Sequence, residues 1–390
     1  MLERFKLKTD AAVAKEPGKT MTRRTLLKHA AITGVTTGLG PWFIKDARSS
    51  SGELRLMNWS DELPAPVISN FTSKTGIKVT TTPFSRVDEV LNKLQATEGE
   101  GFDVLLGALP RAPQFKEQGL IAPWKTREFA LDDLVPSQLR TAEERWSWEG
   151  GLYYIPHLWG SEGLAWRTDK TTVVPSEASW GLLWHDEYRG KVIARPQSLL
   201  FAIGLWLDSI GTVPSNRMLD TYKDDASFKR VFDRILAFAV QHKPWIKQFW
   251  SGADNTKLGL IENGSTIGET WDGPVVALRK TGKPVAFALP KEGALGWLDG
   301  WILPKKSQNV AQAYEWIKYL LTPEVSAQLA QGSGYNPVVR KAVDLMPAED
   351  KVIYQEIYGG DLSGRLWTWP AQPPWHAALV TQYSEKLRVA

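Results

Sequence analysis

The sequence predicts an α/β fold with two lobes, each built on a mixed, mostly parallel sheet with helices on its faces. Three observations lead to this prediction. The chain of 390 residues is long enough for about two domains of roughly 150 residues each. Short apolar or β-branched runs alternate with helix-periodic runs within residues 53–107, and the same alternation returns within residues 191–289. Alternation of this kind is typical of parallel strands covered by helices.

The first group of elements follows the order β-α-β-α-β. Residues 53–59 alternate as a strand. The next helix has Pro64 and Pro66 in its first turn and Gly76 as its stop, which are positions where these residues are well tolerated. Residues 102–107 form a continuous apolar run, as in a strand buried on both faces. A further strand and helix are predicted between them, at residues 77–82 and 87–97.

The second group fills the middle of the chain. Two segments are predicted to cross between the lobes, residues 153–167 and residues 300–304. Strands are predicted at residues 191–194, 266–270 and 285–289, and helices at residues 182–184, 199–210, 228–241, 275–279, 311–321 and 324–330. The predicted lobe boundaries are residues 53–157 plus 300–340 for lobe 1 and residues 158–299 plus 341–390 for lobe 2. Residues 124–150 and 346–390 give little signal of their own.

The N-terminal segment is predicted to be an export signal rather than part of the fold. Residues 22–28 contain two adjacent arginines and resemble a twin-arginine signal. The apolar stretch at residues 30–43 has about 14 residues, too few for a helix to span a bilayer core. We predict that residues 1–50 direct export to the periplasm, with cleavage between Lys45 and Gly52. The alternative is an N-terminal helix with a basic start.

Composition and motifs exclude several functions. The 47 basic and 43 acidic residues give a formal net charge of +4, which is weak support for nucleic-acid binding because phosphate contacts need clustered Lys and Arg. The absence of cysteine excludes disulfides, thiol chemistry and thiolate metal sites. Gly-x-Ser-x-Gly, Walker and dinucleotide motifs are missing, and the five histidines include no pair at helical spacing. We therefore expect no catalytic residue, no metal and no cofactor.

Tryptophan is the compositional outlier, with 19 copies. Each indole offers a large flat π-face and one N–H donor. Some of these residues must belong to the core. A surplus of this size also suits a cleft that holds a ligand by stacking or by cation–π attraction.

Nine segments, taken together, resemble the bacterial extracellular solute-binding proteins of the spermidine/putrescine-receptor type. They are residues 56–61, 71–79, 101–104, 155–160, 268–273, 291–293, 297–304, 320–325 and 334–337. Each segment is weakly specific alone, but their order and spacing agree over residues 53–345. The resemblance implies a type II periplasmic-binding-protein fold whose two lobes close on a ligand. It implies a small-molecule amine ligand and an ABC permease of the inner membrane as partners, and we expect a monomer that binds no nucleic acid.

The resemblance also implies an ammonium-binding corner after the first strand. In this family an aromatic and an acidic residue hold the ammonium there, and the matching residues are Trp59 and Asp61, with Ser60 between them. The aromatic face contributes roughly 0.5–2 kcal/mol and the carboxylate a charge-assisted hydrogen bond. The alternative for Asp61 is a helix N-cap.

Further ligand residues are implied in the second half of the chain. Trp271 matches a family aromatic that stacks on the ligand, and Trp297 and Asp299 match a second aromatic–acid pair. Tyr335 matches a tyrosine near the cleft. The alternative for each tryptophan is a place in the core. Asp272, next to Trp271, is predicted to be a turn residue.

One departure from the family pattern changes the predicted ligand. The loop after the first strand of the second lobe carries Arg195, where polyamine receptors carry acidic residues. A guanidinium repels a second ammonium but binds a carboxylate in a fork. A cleft with Asp61 or Asp299 at one end and Arg195 at the other is complementary to a zwitterion. We therefore hypothesise an amino acid such as 4-aminobutanoate rather than a diamine; the alternative is that Arg195 makes a surface or interlobe salt bridge.

Two other functions stay open at this point. A sugar-binding receptor of an ABC importer also uses a Trp-rich cleft, and Arg195 would then have no special role. An exported hydrolase with a carboxylate pair needs two acids facing each other across a cleft, for which Asp61 and Asp299 are the candidates.

Overall fold

The computed structural model describes residues 52–362 and 364–390. The expected export signal, residues 1–50, lies outside the described residues. In the described part of the chain, no helix combines the length and the apolar character needed to cross a lipid bilayer.

Strands and helices alternate along most of the described chain. The strands are β1 (Glu53–Trp59), β2 (Lys78–Phe84), β3 (Val104–Ala108), β4 (Ile121–Ala122), β5 (Ser147–Trp148), β6 (Gly151–Leu152), β7 (Ile155–Arg167), β8 (Val192–Ala194), β9 (Ile246–Phe249), β10 (Ile267–Trp271), β11 (Val285–Ala288), β12 (Ala294–Pro304), β13 (Asn336–Pro337) and β14 (Leu366–Thr368). The α-helices are α1 (Ala65–Thr75), α2 (Val87–Ala96), α3 (Ala112–Gln118), α4 (Pro136–Trp146), α5 (Pro196–Ser209), α6 (Asp225–Gln241), α7 (Ala253–Ile261), α8 (Asp272–Lys280), α9 (Val310–Leu320), α10 (Pro323–Ser333), α11 (Ala342–Leu345), α12 (Ala348–Tyr358) and α13 (Pro374–Val389).

One mixed sheet runs through both lobes, in the order β2-β1-β3-β12-β7-β10-β8-β9. In the first lobe β1 pairs in parallel with β2 and β3, and in the second lobe β8 pairs in parallel with β9 and β10. The long strands β7 and β12 lie between them, antiparallel to each other. The predicted α/β fold with two lobes and crossing strands is therefore confirmed.

Each lobe has its own hydrophobic core. Phe71, Leu105 and Trp316 belong to the cluster of the first lobe, which α1, α2 and α9 help to cover. Phe201 and Phe228 belong to the cluster of the second lobe, where α5, α6 and α13 pack together. The predicted boundaries of the lobes, residues 53–157 plus 300–340 and residues 158–299 plus 341–390, stay a prediction.

The turn after β1 is shaped by proline and glycine. Helix α1 begins four residues beyond Asp61, after Pro64, which makes no side-chain capping bond. It ends at Gly76, whose φ of 76° is a left-handed conformation that glycine adopts without strain. The Gly76 N–H donates to the Thr72 carbonyl and so closes the helix. Asp61 is therefore not the cap of α1.

Two regions differ from the sequence prediction. Strand β12 begins at Ala294, six residues before the predicted crossing at Gly300, because Gly296 and Asp299 are poor strand formers that tertiary pairing overrides. The C-terminal region, which gave little signal, forms α12, β14 and α13. Helix α13 buries His376 and Ser384 beside its apolar residues, so its apolar periodicity is weak.

A buried polar cluster joins the crossing strand β7 to α8, β13 and α12. Asp272 is fully buried at the start of α8 and accepts hydrogen bonds from the Asn336 amide (3.1 Å) and the Tyr358 hydroxyl (2.5 Å). The Tyr358 hydroxyl also lies 2.8 Å from the hydroxyl of Ser161. Burial raises the pKa of Asp272 to about 7, against the opposing effect of these hydrogen bonds. Asp272 is therefore a structural residue of the lobe junction rather than an exposed turn residue.

We predict that Tyr358→Phe lowers the free energy of unfolding by about 1–3 kcal/mol, because it leaves Asp272 and Ser161 short of a buried partner. The matched control is Tyr354→Phe on the same helix. The Tyr354 ring packs near Trp159, but its hydroxyl has no hydrogen bond within the described residues. Equilibrium urea unfolding of the ligand-free protein checks this. Equal losses for the two variants would show that the Tyr358 hydroxyl adds no stability.

Candidate functional site

A cavity of about 110 Å³ lies between the lobes, at the carboxyl ends of β1, β3, β8 and β10. Ligands of open α/β sheets bind at such ends. The walls of the cavity are formed by Trp59, Asp61, Glu62, Arg86, Val87, Asp88, Ala108, Pro110, Arg111, Glu162, Arg195, Gln197, Trp271, Trp297, Asp299, Tyr335, Trp369 and Gln372.

Aromatic side chains from both lobes meet across the cavity. The rings of Trp59, at the end of β1, and Trp271, at the end of β10, are edge-to-face with centroids 6.2 Å apart. The rings of Trp297 and Tyr335 form a second edge-to-face pair, 4.9 Å apart. Gly160 lies beside Trp297, because a Cβ atom at residue 160 would come within 2.5 Å of the Trp297 ring. The cavity therefore offers flat apolar faces that a narrow solute can pack against.

An acidic group, formed by Asp61, Glu62 and Asp299, lies on one side of the cavity. The Tyr335 hydroxyl donates to Asp61 (2.6 Å). Burial raises the pKa of Asp61, and the Tyr335 hydrogen bond opposes that rise. The carboxyl groups of Glu62 and Asp299 lie within hydrogen-bonding range of each other. The group can therefore present up to three negative charges to a ligand.

The ligand-free acidic group favours its protonated forms. Burial raises the pKa of Asp299 to about 7, while the neighbouring Glu62 and Trp59 side chains oppose that rise. Burial raises the pKa of Glu62 well above its usual range, and the Asp299 charge adds to the rise. His157 lies 3.8 Å from Glu62, but burial lowers the pKa of that imidazole to about 3, so it is neutral and supplies no compensating charge. A cationic ligand would supply that missing charge.

Arg195 is the basic counterpart in the second lobe. It follows β8, and its backbone N–H donates to Glu269 (2.7 Å). Its guanidinium lies over the rings of Trp250 (5.6 Å) and Trp271 (5.3 Å). Within residues 52–362 and 364–390, no side chain or carbonyl forms a hydrogen bond or ion pair with that guanidinium. Its N–H donors are therefore available to a ligand in the cavity.

The other arginines of the cavity differ from Arg195 in this respect. Arg111 and Arg86 both form ion pairs with Asp88. The two guanidinium groups lower the pKa of Asp88, although its partial burial acts in the opposite direction. Glu162 lies next to Glu269, which is fully buried; burial and the neighbouring Glu162 raise the pKa of Glu269 well above its usual range. These local pairs leave Arg195 as the basic group best placed to bind an anion.

The structure brings together seven of the eight residues singled out as ligand contacts. Trp59, Asp61, Arg195, Trp271, Trp297, Asp299 and Tyr335 line the one cavity. Ser60 does not, because β1 ends at Trp59 and the turn exposes Ser60 to an adjacent groove behind Asp61. The ligand contacts of all eight residues stay predictions.

Several residues of the cavity were missed from the sequence. Glu62 and Glu162 had a usable signal, since Glu62 follows Asp61 and Glu162 lies in a predicted crossing strand. Arg86 and Arg111 lie in the short connections after β2 and β3, and Gln197 lies in the first turn of α5; none of the three stands in a distinctive motif. Trp369 and Gln372 belong to the C-terminal region. This region reaches the cavity only through contacts that form when the chain folds.

Comparisons with known proteins agree with this geometry. The profile of a family described as "Bacterial extracellular solute-binding protein" matches residues 67–355. The spermidine/putrescine-binding periplasmic protein of Escherichia coli (strain K12) is 25% identical over 312 residues, which is 78% of this chain and 83% of that protein. The solved structure of a spermidine/putrescine ABC transporter substrate-binding protein from Streptococcus pneumoniae has a TM-score of 0.68 at 22% identity and covers 86% of this chain and 98% of that one. A solved GABA receptor has a TM-score of 0.63 at 19% identity, covering 86% and 96%. The structural likenesses extend over both lobes and establish the shared fold.

We predict that Asp299→Asn stabilises the ligand-free protein at pH 8. The pKa of Asp299 is raised by folding to about 7, so its contribution to stability is complete below about pH 4 and is lost as pH rises through about 7. Asparagine does not titrate, so the advantage of the variant grows from pH 5.5 to pH 8. Thermal unfolding at both pH values checks this, with Asp132→Asn, an exposed acid, as the control. A pH-independent difference from the wild type would contradict the assignment.

Proposed function

The chain belongs to the family of bacterial extracellular solute-binding proteins, and from this premise we propose that it is the periplasmic receptor of an ABC importer for a small amine-bearing solute. Its lobes close on the solute, and the closed form is recognised by a permease of the inner membrane. We propose that it acts as a monomer and has no catalytic role of its own.

The observation that carries this proposal is the buried acidic group of Asp61, Glu62 and Asp299 beside aromatic faces. An ammonium in the cavity would place a positive charge directly against these carboxyl groups, none of which forms an ion pair with a Lys or Arg within the described residues, and it would favour their charged forms. The faces of Trp59 and Trp297 add cation–π attraction, which is worth roughly 0.5–2 kcal/mol. Neutral solutes gain neither term.

The cavity is small, with a volume of about 110 Å³. This size suits a short solute with a polar group at each end. The relative from Escherichia coli is named for binding spermidine and putrescine, and a structural neighbour is described as a GABA receptor. The two names represent the two candidate chemistries, a diamine and an amino acid.

Arg195 favours the amino acid. An ammonium near its guanidinium would meet a like charge, whereas a carboxylate could accept two of its N–H groups. The guanidinium is held over two indole rings and has its donors free, which prepares it for such a fork. We propose a zwitterion such as 4-aminobutanoate, with its amine at the acidic group and its carboxylate at Arg195.

The alternatives fit less well. A sugar would leave the acidic group without a cation and the Arg195 guanidinium without an anion. A glycosidase keeps its two carboxyl groups about 5 Å or more apart, so that the sugar fits between them. In this structure both acids of the candidate pair are already engaged: Asp299 lies within hydrogen-bonding range of Glu62, and Asp61 accepts a hydrogen bond from Tyr335. This favours a binding role for them over a catalytic one.

We predict that the wild type binds 4-aminobutanoate more tightly than putrescine or spermidine in isothermal titration calorimetry. Arg195→Gln is expected to weaken 4-aminobutanoate binding by a factor of about ten or more, because a charged hydrogen bond is lost, while putrescine binding is kept or improved. The matched control is Arg189→Gln. Arg189 also lies over a tryptophan, Trp245, at 4.8 Å, but it is not part of the cavity wall.

Tight polyamine binding by the wild type without any response to 4-aminobutanoate would end the zwitterion proposal and keep the amine receptor. Binding of a sugar panel with no response to any amine would overturn both.

A further inference from the structure

The C-terminal segment between β14 and α13 forms part of the cavity wall. Trp369 and Gln372 both line the cavity, and both are buried, with exposures of 5% and 2%. We call residues 369–373 the latch. The family profile ends at residue 355, before this segment.

Both ends of the latch are fixed to the second lobe. On its N-terminal side, β14 pairs with β12 at Ala294–Gly296, and the Trp369 N–H donates to the Gly296 carbonyl (3.3 Å). The Trp369 ring packs edge-on against Phe201 of α5, with centroids 4.5 Å apart. On its C-terminal side, α13 packs on α5 and α6. The latch therefore moves with the second lobe.

The middle of the latch contacts the first lobe. The backbone N–H of Gln372 donates to the carbonyl of Pro110 at 2.7 Å. Pro110 follows β3, a strand of the first lobe, and it also lines the cavity. Just beyond the latch, the ring of His376 in α13 stacks on Tyr222 of the second lobe, with centroids 3.9 Å apart. The latch thus contacts the first lobe at Gln372 while its flanks are held by the second lobe.

We infer that the latch is a further part of the binding site: Trp369 and Gln372 wall the cavity, and the Gln372–Pro110 bond fastens that wall to the first lobe when the lobes close on the ligand. This inference rests on the proposed lobe closure. A bond between parts of two lobes that separate on opening can exist only in the closed form. Its formation therefore seals the ligand in, and its release opens a path out.

The test is a disulfide between Pro110→Cys and Gln372→Cys. Because the natural chain has no cysteine, no native thiol competes with the two introduced ones, and non-reducing electrophoresis separates the intramolecular disulfide from cross-linked dimers. The control is Gly296→Cys with Thr368→Cys, which joins the same C-terminal segment to β12 within the second lobe; these residues are register partners, and a Cβ at residue 296 meets only ordinary contacts.

Without any ligand, the oxidised 110–372 variant is expected to have a smaller radius of gyration in X-ray scattering than its reduced form, while the control pair shows no change. With bound radiolabelled 4-aminobutanoate or putrescine, the oxidised variant should release the probe at least about tenfold more slowly than the reduced one.

A disulfide that fails to form, or one that forms and leaves both the radius of gyration and the release rate unchanged, overturns the latch. If neither amine binds the reduced protein, the proposed ligand class fails, and the ligand-free scattering still decides the latch.

Discussion

The structure depends on carboxyl groups buried in the cleft without a cation to balance them. Asp299 and Glu62 are fully enclosed, and the neighbouring His157 is neutral because burial lowers its pKa to about 3. Charging such a group in a low-dielectric site is unfavourable, so the empty protein keeps protons there. The charged forms of these acids destabilise the ligand-free fold, and a bound cation offsets that destabilisation. The unfavourable burial is thus the source of the preference for an amine.

The second charge in the cleft is organised differently. Arg195 is supported by the rings of Trp250 and Trp271, and Glu269 holds its backbone in place. The acids Asp61 and Glu62 come from the first lobe, whereas Arg195 comes from the second. A solute with one charge at each end can therefore contact both lobes through opposite charges. This arrangement connects ligand chemistry to closure, since both contacts form together only when the lobes approach.

Much of this architecture could be predicted from the sequence, because the alternation of strands and helices and the residues at strand ends are local signals. Trp59, Arg195 and Trp271 follow directly from where β1, β8 and β10 end. The side of the turn on which Ser60 lies could not be predicted, since the direction of a turn depends on Pro64 and the packing after it. Gln372 could not be found, because its place at the cavity depends on contacts with residues more than 200 positions away. Non-local contacts of this kind leave no periodicity in the sequence.

Gly160 has a consequence for how the chain can change its ligand. A Cβ atom there would come within 2.5 Å of the Trp297 ring and 2.6 Å of the Asp272 carboxylate, so any other residue would force the indole or the carboxylate to shift. Asp272 is fixed in the junction between the lobes and cannot move aside. The width of the cavity beside Trp297 therefore depends on the absence of a side chain at residue 160, behind the indole. Selection could narrow it by a single substitution, without altering any charge that recognises the cargo.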